Sequence, residues 1–229
     1  MGAGVISAEV LAANLRDVEQ RVAAACGRAG RNRSDVQLIA VTKRHPPELV
    51  RLAFDAGLRH FGENYAQELR DKHEALSSCA GLRWHAIGPL QPKNAKYVAK
   101  AAHVFHALER LEVAQELSRR RTGAPLSWFV EVNVAGEASK AGLAPGEVAA
   151  FLEQVKRLPN LELTGLMCMP PLADEPEASR PAFKALAQLA KDLALPCLSM
   201  GTTGDFEIAI EEGATHVRVG TALFGERPA

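Results

Sequence analysis

Lys43 closes an apolar run, LIAVTK, and Pro46 and Pro47 shut the segment behind it. A primary amine at the end of a buried strand suits one chemistry in particular: desolvation favours its neutral, nucleophilic form, which condenses with an aldehyde to a Schiff base. A lysine that merely leaves the strand would instead lay its stem on the surface and keep its charge in water, so position alone does not separate the two. Two later segments add weight to the first reading. In SMGTTGDFEIAI, Gly201 and Gly204 bracket two threonines, Thr202 and Thr203, and a helix is expected to start near Asp205. In GTALFG, Gly220 and Thr221 open another short helix. Backbone N–H groups and hydroxyls at a helix start suit a phosphate, although glycine and threonine also serve as ordinary turn and cap residues. Arg218, in HVRVG, is the third group. A guanidinium inside a short apolar strand must be paired or bonded, either to a carboxylate such as Glu63 or Glu131 or to a ring nitrogen or anionic group of a ligand. An amine for an aldehyde, two loops for a phosphate and a guanidinium for a pyridine nitrogen together describe one cofactor, pyridoxal 5′-phosphate.

These groups need elements to hold them. Apolar positions at helical spacing run from Ser7 to about Ala29, and GRAGRN ends them. Eight short apolar runs then alternate with amphipathic stretches: VQLIAVTK, RHFGEN, LRWHAIG, HVFHAL, SWFVEVNV, LELTGLMCMP, CLSMG and HVRVG. Such alternation implies a parallel sheet, since each strand needs a crossover to return in the same direction. Eight units at this length predict an α/β fold, a single (β/α)8 TIM barrel over 1–229, with residues 1–30 forming a helix that packs on it. An open dinucleotide-binding sheet is disfavoured because VTKRHPP stands where a glycine-rich first turn would be. In a barrel the working face lies at the C-terminal ends of the strands, where Lys43, Asn64, His85, Asn133, Met169, Ser199 and Arg218 fall, and the loops after strands seven and eight are the usual phosphate site. Strand alternation puts Ile39, Val41 and Lys43 on one face, expected to be the interior.

Composition narrows the classes. Lys plus Arg and Asp plus Glu are 27 each, so no global basic field gathers nucleic acid or an anionic membrane. No run approaches the roughly 18 apolar residues of a membrane span, and the N-terminal residues have no basic, apolar leader pattern. Four scattered cysteines read as reduced thiols of a cytoplasmic protein. No interface stripe stands out, so a monomer is the default. His103 and His106, three apart on a strand, point to opposite faces, which argues against a shared metal. His85 is a candidate proton carrier, although a histidine hydrogen-bonded in place is the commoner outcome. Met167 and Met169 are expected in the barrel core, with a contact to the cofactor ring as the alternative.

As a set and in order, the motifs LIAVTK, HFGENYAQE, WHAIGPLQ, VEVNVAGEASKAG, LTGLMCMP, LSMG and VRVGTALFG resemble the pyridoxal phosphate homeostasis proteins of the YggS or PROSC type, related in fold to the alanine racemase barrel. The resemblance implies Lys43 as the Schiff base lysine, Asn64 near the cofactor, and Ser199, Thr203, Gly220 and Thr221 at or near the phosphate, with Arg218 facing the pyridine nitrogen; Gly201, from the loop reading, is expected to bind the cofactor with them. It implies a carrier or buffer of the cofactor, with pyridoxal phosphate-dependent apoenzymes as partners and an indirect influence on amino acid and keto acid balance. Two segments depart from the family pattern: LQPKNAK places Lys93 before Asn94, and SMGTTGD has Thr202 and Thr203 for Met and Ser. Thr203 keeps a hydroxyl, so phosphate binding is expected to survive. Lys140 is a further candidate for an anion near the mouth. The alternatives are a small racemase, which by resemblance needs a tyrosine base for which neither Tyr65 nor Tyr97 is evidently placed, and a cofactor-free barrel for another phosphorylated metabolite.

Overall fold

The computed structural model describes residues 6–137, 140–171 and 175–226. Among these, strands and helices alternate as β1 (Gln37–Val41), α2 (Pro47–Asp55), β2 (His60–Glu63), α3 (Ala66–Ala75), β3 (Arg83–Ala86), α4 (Ala95–Ala101), β4 (Val104–Leu108) and α5 (Leu111–Arg120). The second half continues with β5 (Leu126–Glu131), α6 (Val148–Val155), β6 (Leu161–Met167), α7 (Arg180–Asp192), β7 (Cys197–Thr202), α8 (Phe206–Glu211), β8 (His216–Val219) and α9 (Thr221–Phe224). Every strand pairs in parallel with its neighbours, and β8 returns to β1 with Ile39 opposite Arg218, closing the expected eight-stranded barrel.

Helix α1 (Ala8–Arg28) precedes the barrel, its N-terminus capped by the Ser7 hydroxyl accepting from the N–H of Val10. Leu11, Val18, Val22, Ala25 and Cys26 make its buried face. Helices α8 and α9 are only six and four residues long, too short to cover the strands they follow, and α1 lies against both. Asn14 donates to the carbonyl of Leu223 (2.9 Å), and Arg21 and Arg28 bond Glu207 and Glu211 (2.7 Å each).

Wall and interior follow strand alternation. Leu38 and Ala40 belong to the core between sheet and helices, whereas a side chain at Gly62 would meet Ile39 and Val41, which face the barrel axis. Several strands stop short of the C-terminal ends of the runs that predict them, β5 and β6 by three residues each. β5 stops at Glu131, and Val132 makes only an isolated bridge to Leu143 as the following loop folds back. That return passes through Gly142, at φ +108, where a Cβ would lie 2.7 Å from the Asn133 nitrogen. β6 stops at Met167, so CMP belongs to the mouth. Ala138 and Ser139, in the GEASKAG segment, lie outside the described residues.

Candidate functional site

At the C-terminal mouth is a cavity of about 550 Å3. Lys43, Asn64, Thr203, Arg218, Gly220 and Thr221 line it together, with Glu131 and Met169 among the other residues of the wall. Six of the eight residues that the sequence nominates thus meet at one place. Lys43 comes from the end of β1, two residues above Val41 on the same interior face, and is partly buried. Asn64 follows β2, and its rim position is set by close backbone packing: a Cβ on Gly88 would fall 2.4 Å from the Asn64 carbonyl oxygen.

The segment around Lys43 is gripped from outside the barrel. The buried Lys72 ammonium donates to the Thr42 carbonyl and to Glu63 Oε1, both at 2.7 Å, and the Thr42 hydroxyl donates to the same carboxylate oxygen at 2.6 Å. On the other side of Lys43, the Arg44 N–H donates to the Glu68 carboxylate at 3.1 Å, with Arg44 in the left-handed region at φ 63. Burial raises the Glu63 pKa to about 7 against the opposing pull of Lys72 and Thr42. Sequence reading missed Lys72 and Glu68. The spacing of Glu63 and Glu68 in HFGENYAQE was the available signal, but nothing local shows that both carboxylates turn toward β1.

Arg218 is 4% exposed and, among the described residues, forms no salt bridge. Glu63 turns away to Lys72, and Glu131 shares the cavity without a hydrogen bond to the guanidinium, which removes the ion-pair alternative. Arg218 instead donates to three neutral acceptors: the Ser199 hydroxyl at 2.6 Å, the Cys168 carbonyl at 3.0 Å and the Met169 sulfur at 2.9 Å. Burial lowers the Arg218 pKa, while Cys168, Glu131 and Asp205 nearby act the other way. Burial together with Glu109 raises Glu131 to about 7, with Arg218 opposing.

The two glycine and threonine loops meet. The Gly220 N–H donates to Thr203 Oγ1 at 3.2 Å, and Asp205 accepts from the N–H and hydroxyl of Thr202. Among the described residues, the N–H groups of Thr203, Gly204, Thr221 and Ala222 make no hydrogen bond. The donors are therefore loop amides and hydroxyls rather than the dipole of a long helix, since α8 and α9 are short.

Ser199 and Gly201 stand elsewhere than at the cavity wall. Ser199 is fully buried beneath Arg218. Gly201 has φ +90, and a Cβ there would meet Ala209 at 2.5 Å and the Phe206 Cα at 2.9 Å, so this glycine permits α8 to pack on the end of β7. Met167 is core, but Met169 is about half exposed and belongs to the wall, a correction to the sequence expectation. Lys140 reaches across the rim to Glu137 (3.5 Å) and to the Met169 carbonyl (3.4 Å). Lys93 is exposed and Asn94 accepts from Gln67 at 3.4 Å, both in a single turn away from the wall.

Residues 6–228 match the family described as the alanine racemase N-terminal domain. A pyridoxal phosphate homeostasis protein of Pseudomonas aeruginosa is 46% identical over 221 residues, covering 95% of this chain and 96% of that one. The chain belongs to the pyridoxal phosphate homeostasis protein family. Among solved structures, PipY of Synechococcus elongatus with PLP bound superposes with a TM-score of 0.82 at 32% identity, over 94% of this chain and all of that one. An alanine racemase of Corynebacterium glutamicum shares the fold alone, at 19% identity and a TM-score of 0.69, with 96% of this chain matching 61% of the enzyme.

Proposed function

We propose that this protein binds pyridoxal 5′-phosphate at the barrel mouth and serves pyridoxal phosphate homeostasis, holding the cofactor without a demanding turnover of its own. The observation that carries the reading is Arg218: a buried cation held by neutral acceptors at the floor of a cavity whose other side offers a lysine and two amide-rich loops. A buried guanidinium without an ion-pair partner is costly unless a ligand group completes its bonding.

The residues fit the group. Lys43 supplies the amine, Arg218 an N–H donor for the ring nitrogen, and Thr203, Gly204, Gly220 and Thr221 the cradle for the phosphate. When bound, the cofactor supplies an aldehyde carbon that takes a primary amine covalently. The chain's part is to hold that amine. Lys72 and Glu68 fix the backbone on both sides of Lys43, leaving its side chain to point into the cavity. Arg218, a donor that never gives up its proton, leaves the ring nitrogen unprotonated, which weakens the ring as an electron sink and suits storage over carbanion chemistry. Tyr65 is exposed and Tyr97 stacks on Arg70 at 4.8 Å, and neither lines the cavity, which weighs against a racemase with a tyrosine base. PipY, whose structure is solved with PLP bound, supports the cofactor assignment.

The test is the absorbance of the purified protein with added pyridoxal phosphate, followed by borohydride reduction and peptide mapping. The expected result is a visible band and a phosphopyridoxyl group on Lys43, with the band lost in Lys43→Ala. A colourless wild-type protein, or an adduct on Lys93, Lys96 or Lys140 instead, would overturn the assignment.

A further inference from the structure

Beneath Arg218 the barrel interior contains a continuous line of polar side chains. Ser199 Oγ lies 2.8 Å from His106 Nδ1, His106 Nε2 lies 2.9 Å from His85 Nδ1, and His85 Nε2 lies 2.9 Å from His60 Nδ1. The three histidines stand on the adjacent strands β4, β3 and β2. The barrel's stagger lowers each ring relative to the last, so the line descends from the mouth to partly exposed His60 at the start of β2. Phe129 stacks on His106 with ring centroids 4.6 Å apart, and His216 meets both rings edge-on, which fixes the ring planes.

Such a line has only two self-consistent polarities. A neutral imidazole has one donor and one acceptor, so the three rings must all carry their proton on Nε2 or all on Nδ1. Burial keeps them neutral: His85 and His106 are held well below their ordinary pKa, and His60 falls to about 4. Arg218 decides between the two. It can only donate, so it takes a lone pair of the Ser199 oxygen. Among the described residues, the sole acceptor in reach of the Ser199 proton is His106 Nδ1. The Ser199 oxygen has a second lone pair, but accepting from His106 as well would leave its own buried proton unpaired at a cost. The His106 Nδ1 is therefore bare, and every ring below it carries its proton on Nε2.

We infer that His60, His85 and His106, acting through Ser199, are positioning residues for Arg218: a one-way chain of hydrogen bonds that holds the guanidinium charged and turned toward the cofactor's ring nitrogen. The inference rests on the proposed pyridoxal phosphate site. It is not a route for protons to the cofactor, because the chain ends on an arginine that does not deprotonate. What it transmits is orientation. A carboxylate in place of Ser199 would hold Arg218 more tightly, but it would neutralise the charge and compete with the ligand for its N–H groups. A neutral chain with fixed direction holds the group and leaves the charge intact.

Histidine tautomers in the cofactor-free protein provide the first test, read by long-range proton–nitrogen correlation in 15N-labelled protein. All three rings should carry the proton on Nε2 at neutral pH. An Nδ1 proton or an imidazolium at His60, His85 or His106 overturns the chain, whether or not the cofactor binds. A second test separates positioning from packing. His106→Asn keeps an acceptor near the Nδ1 position, and His106→Leu does not. The Asn variant should retain pyridoxal phosphate within about threefold of wild type, and the Leu variant should bind about tenfold more weakly, the equivalent of about one buried hydrogen bond. Equal affinities in the two variants overturn the inference. Should His106→Leu fail to fold, Ser199→Ala is read in its place, with the same tenfold weakening expected and unchanged affinity counting against the chain. If wild-type protein binds no pyridoxal phosphate, the functional reading fails and the tautomers alone decide the chain.

Discussion

The two groups assigned to the cofactor's reactive ends are held by networks of opposite character. Lys43 is fixed from outside the barrel by an ionic cluster of Lys72, Glu63 and Glu68, which grips the backbone before and after it. Arg218 is fixed from inside by a serine, a carbonyl and a sulfur, with a line of neutral imidazoles behind the serine. The contrast follows from what each group must do. An amine that reacts must be able to shed its charge, so its segment is held through main-chain atoms and the ionic partners stay on the far side of the wall. A guanidinium that donates to a neutral ring must keep its charge unshared, so its holders are neutral.

The largest effect of breaking this contrast is expected on the ionic side. Lys72→Met leaves the Glu63 carboxyl buried without its cation and should cost about 3 kcal/mol in urea unfolding at pH 8, where the group must either keep an unpaired buried charge or take up a proton against the solvent. Adding Glu63→Gln should recover more than half of that loss. A single-variant loss below about 1 kcal/mol would show that the cluster does not secure the Lys43 segment.

Acidity sharpens the contrast next, because buried imidazoles and buried carboxyls respond with opposite signs. Burial lowers His60 and His216 to about 4, so the unfolded chain binds protons more readily between pH 4 and 6.5. Their contribution is intact above pH 6.5 and is lost as pH falls toward 4. Burial raises Glu63 and Glu131 to about 7, so the folded chain holds those protons more tightly. Their contribution is intact below pH 4.5 and is lost as pH rises through 7. Glu131→Gln should therefore raise stability at pH 8 by on the order of 1–3 kcal/mol and change little at pH 4. Urea midpoints across this range read the difference, and a gain of equal size at both ends would contradict the assignment. The smallest effect is expected for Glu68→Ala, whose partly exposed carboxylate holds one N–H of Arg44. Stability should fall by less than about 1 kcal/mol, with a measurable weakening of pyridoxal phosphate retention. Unchanged retention would leave Lys72 as the grip that matters.

Much of this was legible in the chain itself. Period-two and helical apolar patterns placed eight strands in order, and the ends of β1, β2 and β8 and the loops after β7 and β8 put Lys43, Asn64, Arg218, Thr203, Gly220 and Thr221 at one mouth. The lower half of the site was not. Of seven histidines, four face the interior in His60, His85, His106 and His216; local spacing marked His85 as a strand-end candidate and weighed His106 only against His103, and nothing in it joined the four. Ser199 closes an apolar run, and the resemblance implied a place at or near the phosphate; the structure puts its hydroxyl under Arg218.

The order of residues determined the alternation of buried and covered faces, and with it a closed parallel barrel whose strand ends converge, because side-chain parity and helix periodicity are local properties. Which polar groups meet across the barrel depended on closure and stagger. Those bring His106 beside Ser199, 93 positions apart, and turn Glu63 toward Lys72 and away from Arg218. Hydrogen bonds between distant strands have no signature in local spacing, since their partners are chosen by register and by the requirement that every buried donor find an acceptor.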